Sequence, residues 1–110
     1  MKLATALVAL LLLGACASQP DASAPNAEAR GRTLVAQNCA SCHAIGRSGE
    51  SPAPEAPPFR TLSQNYRVNT LEEALAEGIS VGHPAMPNFE FSPNDVDAVI
   101  AYLESIQESR

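Results

Sequence analysis

Leu34-Val35-Ala36-Gln37-Asn38-Cys39-Ala40-Ser41-Cys42-His43 is the stretch that decides the fold. Two cysteines stand two residues apart and a histidine follows at once. With 3 Cys and 2 His in 110 residues, chance alone gives roughly 0.001 occurrences of this pattern, so it asks for a chemical explanation. A thioredoxin-like dithiol also uses C-x-x-C, but it needs alternating strands and helices around it, which the flanks do not show. A zinc site would need further Cys or His ligands, and beyond the motif and Cys16, which is either lipidated or discarded with the leader, the chain offers only His83.

The remaining reading is covalent attachment of one haem c. Two thiols at this spacing, on a turn that follows a helix, can both add to the vinyl groups of a single haem. His43 is then held on the proximal side as an axial ligand. Candidates for the distal position follow by elimination: Met1 leaves with the leader, so only Met86 and His83 remain. Met86 lies between Ala85 and Pro87, in an extended, Pro-flanked segment whose backbone could hold a thioether against a haem face. Met is also a common core filler, and His83 stays open as a ligand or as a neighbour whose titration modulates the potential.

Working outward, the spacings predict a helix from an Asn26 N-cap that runs into the cysteines, with Ala27, Gly31, Leu34, Val35 and Asn38 on one face. Gly31 costs about 1 kcal/mol against Ala inside a helix, which points to another element packed closely there. Residues 45–62 hold two glycines and four prolines without periodicity, the mark of a long loop wrapped around something. Thr70-Leu71-Glu72-Glu73 has capping-box spacing and Gly78 supplies a stop, giving a helix of about eight residues. Ser92 as N-cap, Pro93 at the first position and Asp95 at the third open a last helix, whose buried stripe is Val96, Val99, Ile100, Leu103 and Ile106. No alternating run is long enough for a sheet. The expected class is all-α, about three main helices with loops around one haem.

Residues 1–15 read as a signal peptide: Lys2 is followed by an apolar run, Leu3 to Leu13, shorter than the roughly 20 residues a membrane span needs. Leu13-Gly14-Ala15-Cys16 resembles the lipobox of bacterial lipoproteins, which makes Cys16 the lipidated first residue. Ala15-Cys16-Ala17 also fits ordinary signal peptidase cleavage, which would discard Cys16 and leave a soluble periplasmic protein. Residues 16–26 then form the lipidated Cys and an Ala/Ser/Pro-rich linker, and residues 27–110 one small domain. A domain of this size without Trp buries a modest core and gains from a large apolar cofactor.

The formal charge is −5, and about −6 once Lys2 is removed, because six Arg then face twelve Asp and Glu. Nucleic acid is an unsuitable partner for such a chain, and a redox partner protein would present a basic docking patch.

The sequence resembles the small bacterial class I cytochromes c over Ala27 to Arg110. The resemblance rests on Gly31 eight residues before Cys39, the C-A-S-C-H motif, Ala56-Pro57-Pro58-Phe59, Gly82 to Phe89 and Ala101-Tyr102-Leu103. It implies that the first and last helices cross, so that Gly31 meets Tyr102. It also implies that Pro57, or its neighbour Pro58, accepts through its carbonyl the hydrogen bond from the second nitrogen of His43. Two family features, a Trp or Tyr on a haem propionate and a ring of Lys at the haem edge, are not identifiable. Arg60, Tyr66 and Arg67 are candidates for the propionates, each with an ordinary surface or core role as the alternative. The expected function is a single-electron carrier on the periplasmic side of a bacterial membrane, with no substrate chemistry of its own. The alternatives are a haem enzyme or small-ligand sensor with a labile distal site, or an electron-donating subunit of a membrane complex.

Overall fold

A computed structural model describes residues 23–78 and 83–109, and no strand occurs among them. The expectations for residues 1–22, including the leader and Cys16, lie outside the described residues, as does Gly82. Three α-helices appear in chain order: α1 Ser23–Asn38, α2 Leu71–Glu77 and α3 Pro93–Ser105, with 3-10 turns at Phe59–Gln64 and Val68–Thr70. The all-α expectation holds.

α1 begins three residues before the expected N-cap, so Asn26 lies inside the helix and the last part of the expected linker is helical. Pro25 does not prevent this, because a first-turn residue has no intrahelical partner for its N–H. The face expected to be buried is buried at Gly31 and Val35 and half-buried at Leu34, whereas Asn38 is exposed and its amide donates to the Leu34 carbonyl at 2.8 Å.

α1 packs on α3 at the glycine. A Cβ on Gly31 would overlap the Ala98 carbonyl oxygen and lie 2.8 Å from Tyr102 Cβ. The absence of a side chain there is what brings the two backbones together, and it answers why a helix-weakening residue sits mid-helix. Beside this contact Arg30 Nη2 pairs with Asp95 Oδ1 at 2.5 Å, and the Tyr102 hydroxyl donates to the Ile45 carbonyl at 2.7 Å, tying the loop after the motif to α3.

α3 starts as expected: the Ser92 hydroxyl accepts from the Asp95 N–H at 3.3 Å and Pro93 is the first helical residue. Val96, Val99, Ile100, Leu103 and Ile106 are all buried. Ala98 and Tyr102 are buried as well, because α3 packs on α1 with one side and on the rest of the core with the other.

Two further expectations fail. The Thr70 hydroxyl donates back to the Arg67 carbonyl at 2.6 Å and caps nothing. The preceding 3-10 turn already holds Thr70 at φ −68°, ψ −10°, helical values rather than the extended ones a capping box needs. α2 does stop at Gly78, whose φ of 69° is left-handed. The loop also ends sooner than Leu62, because Phe59 and Leu62, three residues apart, are both buried by one 3-10 turn.

Candidate functional site

Just beyond α1 the chain makes one more turn: the Cys42 and His43 N–H groups both donate to the Cys39 carbonyl, at 3.2 and 2.9 Å. This places Cys39 half-buried against the core and leaves Cys42 exposed. Burial pushes the Cys39 thiol up to about 11, so at neutral pH it is an uncharged wall group.

The loop from Ile45 to Pro58 folds back over this turn. The Ala53 N–H donates to the Cys42 carbonyl at 3.1 Å, the Ala44 N–H to Ser51 Oγ at 3.0 Å, and the Phe59 N–H to the Ala44 carbonyl at 2.9 Å. Gly49, at φ 92°, adopts a conformation that a side chain would strain. The result is that His43 Nδ1 lies 2.8 Å from the Pro57 carbonyl oxygen. A carbonyl only accepts, so Nδ1 carries the proton and Nε2 keeps its lone pair. Pro58 is engaged elsewhere, since its carbonyl accepts from the Thr61 N–H at 3.1 Å and hydroxyl at 2.9 Å. The Phe59 ring packs against the His43 ring, 4.5 Å away centroid to centroid and tilted by 32°.

Cys39, Cys42, His43, Pro57, His83 and Met86 all line one cavity of about 510 Å³. α1 contributes Leu34 and Val35, α2 contributes Leu71 and Leu75, and α3 contributes Val99 and Leu103, so the wall is mainly apolar. Its volume lies within the roughly 300–1,000 Å³ of sites that enclose cofactors. Among the described residues no group of three His, Cys, Asp or Glu is placed to hold a metal ion, and an all-protein zinc site would need such a group. Two thiols, a histidine with a free nitrogen lone pair and a methionine thioether, all lining one mainly apolar cavity, fit a covalently held haem.

Met86 is half-buried, in a short turn in which its N–H donates to the His83 carbonyl at 3.0 Å. Of the three propionate candidates only Tyr66 lines the cavity. Arg60 is committed to the Glu108 carboxylate at 3.1 Å and to the Gly49 carbonyl at 2.7 Å, and Arg67 stands outside the wall. Partial burial raises the Tyr66 phenol pKa, so it remains an O–H donor at neutral pH. Sequence reasoning assigned no role to Phe59, the ring against His43. The signal was present in Pro57-Pro58-Phe59, because a large apolar residue closing a Pro-rich loop has to find something to pack on.

Residues 26–103 match the family described as cytochrome C oxidase, cbb3-type, subunit III. Over 111 aligned residues the chain is 32% identical to the protein named cytochrome c6 from Picosynechococcus sp. (strain ATCC 27264 / PCC 7002 / PR-6), covering 96% of this chain and 90% of that protein. No solved structure gives a significant match.

Proposed function

The chain belongs to the cytochrome c family as a small class I member, and we propose that it carries single electrons on one covalent haem c held by Cys39 and Cys42, with His43 and Met86 as the axial pair. It is an electron-transfer protein rather than an enzyme, and it serves redox partner proteins. The haem iron, when bound, supplies the one-electron step. The chain's own residues do the rest.

The observation that carries the axial pair is the pattern of hydrogen bonds at the two histidines. The Pro57 carbonyl holds the His43 proton on Nδ1 and turns the basic Nε2 outward as a ligand; such second-layer contacts also raise ligand basicity. At His83 the arrangement is reversed: Nδ1 lies 3.2 Å from the Ala85 N–H and accepts from it. The His83 proton therefore sits on Nε2, and neither ring nitrogen has a free lone pair. Met86, in the same cavity wall, keeps its thioether sulfur as a neutral ligand. Two filled axial positions suit transfer of an electron without substrate binding, and Met ligation raises the potential.

Export and anchoring complete the proposal. Residues 1–15 act as a signal peptide, Cys16 carries a lipid on the periplasmic side, and residues 27–110 form the redox domain. No helix among the described residues is long and apolar enough to cross a membrane. The excess of acidic residues favours a partner with a basic docking patch.

Reductive titration of the purified holoprotein tests the carrier function. One electron per chain, taken up and released reversibly without ligand uptake, is the expected result; binding of cyanide at micromolar concentration by untreated protein would point to the enzyme or sensor reading. Mass spectrometry of the mature N-terminus tests the anchor, and an unmodified N-terminus after Cys16 would refute it.

A further inference from the structure

His83, Pro84, Ala85 and Met86 form a four-residue turn closed by the Met86 N–H on the His83 carbonyl at 3.0 Å. Pro84 occupies the second position, where its fixed φ suits a β-turn. The first position of such turns favours Asp, Asn or Ser, whose side chains accept from the backbone N–H two residues on. Here an exposed imidazole does that work, through Nδ1 and the Ala85 N–H at 3.2 Å. Both N–H groups of the turn are therefore held by one residue, by its carbonyl and by its ring. On the far side Pro87 biases Met86 to an extended backbone and has no N–H to donate. Met86 thus stands between a doubly fastened turn and a rigid proline.

We infer that His83 is a positioning residue for the distal ligand: by accepting the Ala85 N–H it holds the turn that keeps the Met86 sulfur in the cavity, and it resists displacement of that sulfur by outside ligands. This rests on Met86 being the distal ligand. The role belongs to the acceptor atom at the first turn position and not to the imidazole as such. Asn at residue 83 should therefore replace His, because its Oδ1 can accept the same N–H, whereas Ala should not.

The test uses oxidised holoprotein of the parent, His83→Ala, His83→Asn and Met86→Ala, titrated with imidazole while the weak long-wavelength absorption of an iron–thioether bond is followed. One backbone hydrogen bond corresponds to about a fivefold change in an equilibrium constant. His83→Ala should therefore lose the absorption at about fivefold lower imidazole, and His83→Asn should stay within about twofold of the parent. Unchanged behaviour in His83→Ala, or equal loosening in His83→Asn and His83→Ala, overturns the inference. The ligand assignment is read separately from Met86→Ala: if that variant retains the absorption, Met86 is not the ligand and the inference falls with it. If Met86→Ala loses the absorption while His83→Ala matches the parent, only the inference fails. Far-ultraviolet circular dichroism of each variant shows that the helices are intact, as expected for an exposed position.

Discussion

Replacing Gly31 by Ala sets two opposing effects against each other. In an exposed helix the change would stabilise by about 1 kcal/mol, since Ala is the best helix former and Gly among the worst. Here the added methyl would overlap the Ala98 carbonyl oxygen and come within 2.8 Å of Tyr102 Cβ. The Ala98 atom is backbone in the middle of α3, so relief comes only by separating the helices. Overpacking of a tight core costs roughly 1–3 kcal/mol. Moving Tyr102 also strains its hydroxyl's 2.7 Å bond to the Ile45 carbonyl, worth about 1 kcal/mol. The clash and the strained bond outweigh the propensity gain, leaving a net loss of about 2 kcal/mol. With a urea dependence of about 1–2 kcal/mol per molar for so small a domain, the unfolding midpoint of the holoprotein should fall by about 1–2 M. Urea titrations followed by far-ultraviolet circular dichroism and by haem absorption measure it. A Gly31→Ala protein as stable as the parent, or more so, would refute the claim that Gly31 is there for close helix contact.

Three further outcomes are expected. Ser92→Ala removes the oxygen that accepts the Asp95 N–H and should destabilise by about 1 kcal/mol in the same urea titration. Phe59→Ala, which empties a buried position against the His43 ring, should cost about 3–5 kcal/mol and broaden the His43 resonances in NMR spectra. Asp95 is held below the ordinary carboxylate range, first by its hydrogen bond from Arg30 and then by that from Ser92. A depressed folded-state value means that this contribution is present above the ordinary Asp range and is lost as pH falls through the lowered value. An NMR titration should therefore find Asp95 titrating below the ordinary Asp range, and Arg30→Gln should move it upward.

How much of this could be read from the sequence depended on how local the signal was. The C-A-S-C-H motif, the α3 stripe and the Ser92-Pro93 start are local patterns, and each appears where its spacing placed it. Gly31 was legible as an anomaly, a poor helix former in a helix, and the structure supplies its partners, Ala98 and Tyr102. Thr70 was misread because a capping box is defined by backbone conformation as well as by residue type, and the 3-10 turn before it is invisible in T-L-E-E. The choice between Pro57 and Pro58 could not come from spacing alone. It depends on how the loop is tied back through Ser51, Ala53 and Phe59, which are contacts across the chain. The His83 ring bond to the Ala85 N–H was equally hidden, since His is not the usual residue at the head of such a turn.

The central claim is that one chain supplies both axial ligands, His43 and Met86, to a covalently attached haem. Its most direct test is the visible and near-infrared spectrum of the oxidised holoprotein beside that of Met86→Ala. The parent should show the weak long-wavelength absorption of an iron–thioether bond, and the variant should lose it and have a lower potential. A parent protein without that absorption, or a Met86→Ala protein with unchanged spectrum and potential, would contradict it.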